Sequence, residues 1–441
     1  MTVGIDFPRL RLRDPSSPLL DLPWELPLAD WPADALEFKE LPIGPSRHLV
    51  RFLVADGETY ALKELPLVPA GREFQVLRHL RRLELPAVRP VGIAEAPEHG
   101  VAILITQYLR HSLQYRRLLM RLPLGPGPYR DRLLDAMAGL LVDLHRAGVF
   151  WGDCSLANTL FRRDGARIQA YLVDAETSEV HPTLTDGQRA HDLEILVENV
   201  AFGLADLAAF QGRDGDGDEA IPAAEGVRDR YRALWDELHE VPALRPGDRQ
   251  AIRARIRRLN ELGFAVDEIS LERHIRGGPT EAGQMRLRTV VSSRQFHARE
   301  LERLTGLRAL EGQARLLLND IREYTAWLHF YDRRAIDERE GADRWLREVL
   351  VPRLARLVPA IGPGRDPLQA YCDVLEEKWL LSERAGRDVG LEAAIAAYVA
   401  GGAPAPEAGG GPQASLDLEI DWSAGLDRRQ EGTSDETGPC E

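Results

Sequence analysis

Residues 149–176, VFWGDCSLANTLFRRDGARIQAYLVDAE, constrain this chain more than any other stretch. Asp153 and Asn158 stand five apart in a polar segment that follows an apolar, helix-like run and precedes Thr159-Leu160-Phe161. Asp174 closes the short β-prone run Tyr171-Leu172-Val173, after a turn at Asp164-Gly165. An Asp-x4-Asn spacing alone is weak, because both residues commonly occupy turns by bonding their own backbone. In the order polar loop, strand, turn, strand, Asp, the three residues suit phosphoryl transfer. That chemistry needs a carboxylate to take the proton of an attacking hydroxyl. It also needs an amide and a second carboxylate to hold magnesium over the phosphates.

A chain of 441 residues has room for two or three domains with their own cores. A net charge of −14 gives a nucleic-acid partner no global electrostatic support. The opening MTVGIDFPRLRLRDPSS lacks the apolar core of a signal peptide, and no run approaches the ~20 apolar residues of a membrane span. Cys154, Cys372 and Cys440 are far apart, with neither metal-type spacing nor a disulfide framework. A cytoplasmic protein is expected. Cys154 reads as a small buried filler rather than a reactive thiol.

Residues 1–35, rich in Pro and Leu with Trp24 and Trp31, read as an extended N-terminal arm over the first domain. Residues 36–65 read as three short strands, the last of them Glu58 to Leu65 after the turn Asp56-Gly57. Lys63 lies in that strand. Only Lys39, Lys63 and Lys378 are lysines among 56 basic residues, so each retained lysine invites a reason. A surface lysine is the plain reading. With strands and a helix before the Asp153 stretch, Lys63 suits neutralising nucleotide phosphates, a point-charge task for an ammonium. The helix expected over 71–80 places Glu73 in its first turn. There it is either a favourable charge at a helix N-terminus or the anchor of Lys63, and the pair is preferred. Two more strands follow, around Val91-Gly92-Ile93-Ala94 and 101–106, before Gln107-Tyr108-Leu109. Leucines and Met137 at three- and four-residue steps predict a helix over 129–147, in which His145 reads as a capping or packed residue. Asp192 opens a further helix.

Residues 36–210 make the expected first domain, 211–226 an acidic linker, and 227–400 a second, mostly helical domain. Residues 401–441, with three consecutive glycines and many acids, are expected to be a disordered acidic tail. In the linker, Asp214, Asp216, Asp218 and Glu225 fall at positions 1, 3, 5 and 12 of a calcium-type loop. Glu219 replaces the glycine that such a loop needs at position 6, and a flexible acidic linker explains the run as well.

Lys63, Glu73, Asp153, Asn158 and Asp174, in that order, make the first ~210 residues resemble the protein-kinase-like superfamily, at a size that suits one domain. WGDCSLANTLF and LVDAET resemble its lipopolysaccharide (Kdo) kinase-like branch. With RRLNELGF, LLNDI and SERAGRDVGLEAA, the chain is similar to a bacterial family that joins such a domain to a C-terminal domain of unknown function. The resemblance implies an α+β, bilobal protein-kinase-like fold: a small β-rich N-lobe, a helical C-lobe, then a mostly helical C-terminal domain. It implies ATP and Mg2+ as cofactors and a small-molecule or glycan hydroxyl as acceptor. Asp153 would be the catalytic base, Lys63 would contact phosphates with Glu73 behind it, and Asn158 and Asp174 would bind the metal. Gln107 and Leu109 would offer backbone groups to adenine between the lobes, and Gly44 with Ser46 would cover the phosphates. Asp192 would brace the catalytic-loop backbone. Trp151 stands where the family has histidine, Asp174 is followed by Ala175-Glu176 rather than Phe-Gly, and Gly44 is the only glycine of its loop. No A-P-E-like segment follows, which argues against a peptide substrate. The alternative is a pseudokinase, a nucleotide-binding scaffold acting through a protein partner of the C-terminal domain.

Overall fold

Alternation along one strand sets the architecture of the first lobe. The computed structural model describes residues 9–13, 17–41, 47–115, 127–210, 217–245, 247–273, 285–362 and 364–404. Gly44 and Ser46 lie outside them. β4 (Glu58–Pro66) turns Tyr60 and Leu62 to one face of the sheet and Lys63 and Leu65 toward the other, as a period of two requires. It is central in a six-stranded sheet of order β1-β5-β6-β4-β3-β2, in which every neighbouring pair is antiparallel. The flanking strands are β1 (Arg9–Leu12), β2 (Phe38–Lys39), β3 (Leu49–Ala55), β5 (Arg89–Ala96) and β6 (Val101–Gln107). The N-terminal arm covers the Tyr60 face. Leu19, Leu22, Trp24, Leu28 and Trp31 bury themselves there with Leu53 and Ile103, and the arm's own β1 joins the sheet edge beside β5.

The Lys63 face packs on α2 (Leu67–Arg82) through Phe74, Val76, Leu77 and Leu80. This helix begins four residues before the expected Gly71. Glu73 therefore lies in its second turn, beyond the reach of a helix N-terminal charge effect, and that explanation of the residue is set aside. The chain leaves β6 through Tyr108, whose N–H donates to Thr59 O at 2.8 Å, and enters β7 (Ser112–Gln114). β7 pairs with β9 (Thr159–Asp164), which pairs with β10 (Arg167–Leu172). The second lobe is otherwise helical, around α3 (Pro128–Arg146), α4 (Asp186–Phe210) and α5 (Gly217–His239). Leu133, Leu134, Met137, Leu140, Leu141 and Leu144 of α3 are all buried in its core.

α5 corrects the expected linker. Residues 217–226 are helical and Ala220, Ala223, Ala224 and Val227 are buried in the first core, so the boundary expected at 227 falls inside one packed helix. The helix also takes up residues 217–225, positions 4 to 12 of the calcium-type run, where such a loop would have to turn; Asp214 and Asp216 lie outside the described residues. Pro222 and the Asp-Gly run hid the helix in the sequence. β12 (Ala243–Leu244), α6 (Arg249–Glu261, capped by Asp248), β13 (Phe264–Arg273) and β14 (Met285–Arg294) follow, with Leu259 and Phe264 still in the first core.

A separate core gathers α7 (Phe296–Thr305), α8 (Glu311–Asp332), α9 (Glu338–Trp345), α10 (Val351–Ile361), α11 (Pro367–Ala385) and α12 (Gly390–Ala400). A π-helical stretch, Leu346–Leu350, joins α9 to α10. The expected tail begins later than 401: Ala403 is buried and its carbonyl accepts from Arg365, while 405–441 lie outside the described residues.

The two cores are joined by the β9–β10 turn. Asp164 Oδ1 accepts the backbone N–H of Gln313 at 2.8 Å, so a carboxylate of the first domain caps the N-terminus of α8. Gln369 of α11 clasps Gly165, accepting its N–H at 2.9 Å and donating to its carbonyl at 3.0 Å. Arg163 pairs with Asp373 at 2.9 Å and Arg162 with Asp366 at 3.1 Å. The helix can approach because residue 312 is glycine: a Cβ there would overlap the Asp164 carbonyl oxygen. Gly312→Ala should destabilise the chain by about 1–3 kcal/mol through overpacking. Gly71→Ala, in α2 with nothing near its added methyl, should stabilise it by about 0.5–1 kcal/mol. Urea unfolding of both variants checks the pair. Equal effects would mean that the turn is not a tight joint.

Candidate functional site between the lobes

One ammonium organises the cleft. Lys63 Nζ lies 3.1 Å from Glu73 Oε2, 2.8 Å from Asp174 Oδ2 and 3.8 Å from Glu176 Oε2. Strand β4 delivers the lysine, α2 the buried Glu73, and the segment after β10 the two remaining acids. Three carboxylates therefore face one ammonium, an excess of acids over bases in a partly buried place. Burial pushes the Glu73 carboxyl up to about 7; Lys63 opposes that rise and Asp174 adds to it. Burial works against the Lys63 ammonium, yet the Glu73 and Asp174 carboxylates outweigh it and raise its pKa. The two shifts agree: the proton stays on the lysine, and the most buried carboxylate is the one that resists charge.

Asp153 and Asn158 meet in the loop before β9. Asn158 Nδ2 donates to Asp153 Oδ2 at 2.9 Å and to the Asp153 carbonyl at 3.1 Å. Its Oδ1 is left without a protein partner among the described residues. Val173 N–H donates to Asn158 O at 3.1 Å, which holds the loop beside the run ending at Asp174. Gln107 ends β6, its side chain donating to Glu58 at 3.2 Å. Leu109 lies between β6 and β7, its carbonyl accepting from the Ser112 hydroxyl at 2.7 Å.

The loop is held from below by Asp192, fully buried in α4. Its two oxygens accept the backbone N–H groups of Trp151 at 2.6 Å and Gly152 at 2.8 Å. His145 Nε2 lies 3.1 Å from Asp192 and its Nδ1 lies 2.7 Å from the Tyr231 hydroxyl. Burial lowers the His145 pKa, with Asp192 opposing, so a neutral ring that donates from Nε2 and accepts at Nδ1 satisfies all three groups. Trp151 points into the core and fills it, which shows what a bulky residue does at the position where the family has histidine. Cys154 is a buried free thiol, its pKa raised by burial and by Asp192, in keeping with a filler.

Three participants were missed in the sequence. Glu176 joins Glu73 and Asp174 in a group whose ligand atoms lie within 4.8 Å of one another. His48 Nε2 lies 2.9 Å from Glu176 Oε2 and ties the start of β3 to that group. Asn199 donates to the Cys154 carbonyl at 2.9 Å. The Asp-Ala-Glu sequence after β10 was the available signal for Glu176; nothing local marks His48 or Asn199. The donor set is all oxygen and has more carboxylates than cations, which fits a hard divalent cation such as magnesium. Removing Asp192 would leave two buried N–H groups and the His145 ring without their acceptor. Asp192→Ala should therefore cost at least about 2 kcal/mol. Hydrogen exchange should also quicken at Trp151 and Gly152, and unchanged protection there would show that the loop is held by other contacts.

No curated protein matches the chain. A solved structure of WaaP in complex with acyl carrier protein is 20% identical, with a TM-score of 0.34, over 53% of this chain and 100% of that one. At that score the likeness adds nothing to the fold described above. Residues 57–213 match the lipopolysaccharide kinase (Kdo/WaaP) family, and residues 233–401 match DUF4032, a domain of unknown function. The first match holds Lys63, Glu73, Asp153, Asn158 and Asp174; the second holds the separate helical core. The chain thus joins a kinase-like region that matches the lipopolysaccharide kinase (Kdo/WaaP) family to a region that matches DUF4032.

Proposed function

We propose that the protein is an ATP- and magnesium-dependent phosphotransferase whose acceptor is a hydroxyl of a sugar, a glycan or another small polar molecule. The observation that carries this reading is the Lys63 ammonium held between Glu73 and Asp174. Glu73, on a helix and almost wholly buried, is the fixed anchor. Asp174, more exposed, is the partner that can be given up, leaving Lys63 free to face the α- and β-phosphates of ATP. Asp174 and the open Oδ1 of Asn158 would then hold magnesium, which supplies charge neutralisation of the phosphates when bound. Leu109 has spent its carbonyl on Ser112, so its N–H is the group that would meet adenine. Gly44 and Ser46 are assigned to covering the phosphates. We place the reaction in the cytoplasm, where ATP is at hand. Among the described residues no helix is long and apolar enough to cross a membrane.

Asp153, exposed at the loop surface, is oriented by Asn158 and is the assigned base. The acceptor oxygen forms its bond to the γ-phosphorus, the bond to ADP breaks with its electrons leaving on ADP, and the hydroxyl proton passes to the Asp153 carboxylate. A second reading, a nucleotide-binding scaffold working through a protein partner, is favoured by one observation. Trp327, Phe330 and Tyr331 of α8 and Trp379 of α11 are all more than half exposed on the C-terminal domain.

ATP turnover by the full chain, screened against sugar and glycan acceptors, separates the readings. Asp153→Ala should lower kcat about 10²–10⁴-fold with little change in the KM for ATP, as loss of a general base does. Equal turnover in the variant would remove Asp153 from the chemistry. Nucleotide binding with no turnover by the wild type against any acceptor would favour the scaffold.

A further inference from the structure

Away from the Lys63 cleft, a cavity of about 460 Å³ opens between α3, β10, α5, α6 and β14. Five arginines line it: Arg132, Arg167, Arg230, Arg258 and Arg294. Its acids, Asp135 and Glu237, are already engaged. Asp135 pairs with Arg230 at 2.7 Å, and Glu237 pairs with Arg255 at 2.6 Å and Arg258 at 3.6 Å. Arg132 is turned toward Glu376 at 3.5 Å. Two guanidiniums remain.

Arg167 makes no ion pair or side-chain hydrogen bond with any described residue. Burial lowers its pKa, and the neighbouring Arg315 and Arg294 lower it further. Asp164 and Glu311 oppose that fall from a distance, but both are engaged elsewhere: Asp164 caps α8, and Glu311 accepts from His297 and Ala298. Arg294 comes no closer than 3.9 Å to its carboxylate, Asp143, and its buried Nε has no hydrogen-bond partner. The chain makes room for this side chain. A Cβ at Gly139 would lie 2.9 Å from the Arg294 guanidinium, and one at Gly263 would lie 2.7 Å from Arg294 Cγ. Phe264 supports the guanidinium at 5.1 Å.

Arg167 and Arg294 are crowded in a half-buried place with no carboxylate of the described residues closer than 3.9 Å, which costs free energy unless something anionic joins them. Guanidiniums bind phosphate through paired, charge-assisted hydrogen bonds, and a cavity of this size holds a small molecule. Beside the arginines, Ile168, Leu234 and Leu262 give the cavity an apolar wall. We propose that this cavity binds a small phosphorylated molecule, its phosphoryl group between Arg167 and Arg294 and its apolar body against Leu234 and Leu262. The site lies where the first domain meets the sheet and helix that lead into the C-terminal domain. It is independent of the phosphotransferase reading.

The test is a thermal-shift titration of the full chain with 1-naphthyl phosphate, with inorganic phosphate and sodium chloride at matched ionic strength as controls. Wild type and Lys63→Ala should both show a rise in midpoint, larger for 1-naphthyl phosphate than for phosphate and absent with chloride. Arg167→Gln should weaken the apparent affinity by about tenfold or more, the loss of one charge-assisted contact. Because Arg167 has no internal partner, its unliganded midpoint should stay at or above that of wild type, so a lost response cannot be put down to misfolding. The proposal falls if wild type does not respond, if chloride reproduces the shift, or if Arg167→Gln responds as wild type does. It also falls if Lys63→Ala abolishes the response, which would put the binding in the cleft. Equal responses to phosphate and 1-naphthyl phosphate would overturn the apolar half of the site.

Discussion

The Lys63 ammonium is the interaction on which the rest of the cleft depends. It ties a strand and the helix that follows it to the segment after β10, which lies 111 residues further along the chain. Its worth as a static salt bridge is modest, because a buried ion pair recovers little more than its desolvation penalty. Its value is positional. Glu73, pushed up to about 7 by burial, holds the lysine from inside, while Asp174 and Glu176 hold it from the open side with charge to spare. A cluster with more carboxylates than cations is poised to take up a further cation, which an apolar or neutral arrangement would not be.

Two further carboxylates fix what surrounds that cluster. Asp192 positions the Asp153 loop by accepting two successive backbone N–H groups, and His145 and Tyr231 complete its hydrogen bonding inside the core. Asp164 does the analogous task for the C-terminal domain, capping α8 from the turn between the two strands that precede Asp174. The C-terminal domain therefore grips the same hairpin that carries the candidate metal-binding segment. A displacement of α8 or α11 would be felt at that hairpin through Gln369, Asp373 and Asp366. The same hairpin supplies Arg167 to the arginine-lined cavity, so the strand that lines one site leads directly into the acids of the other.

Much of the first domain was legible because its signals are local. Strand alternation placed Lys63, a turn marked β9 and β10, and spaced leucines marked α3. The helix over 217–239 was not legible: Pro222 and the Asp-Gly run have loop chemistry, and only the apolar contacts of Ala220, Ala224 and Val227 with α3 and α4 outweigh it. Glu73 was seen as Lys63's partner but misplaced by a turn, because nothing in Leu67-Val68-Pro69-Ala70 announces a helix start except a proline in the first turn. Glu176, His48 and Asn199 act through contacts between distant segments. The arginine cavity draws on five elements. No spacing in one chain can reveal such sets.

The most direct test of the central claim is a calorimetric titration of the full chain with ATP, in magnesium and in a chelator at matched ionic strength. An ammonium freed from Asp174 and a cluster with carboxylate charge to spare should together give one ATP per chain, with clear binding in magnesium and little without it. Equal affinity in the two conditions, or no binding in either, would contradict the reading of Lys63, Glu73 and Asp174 as a metal-nucleotide site.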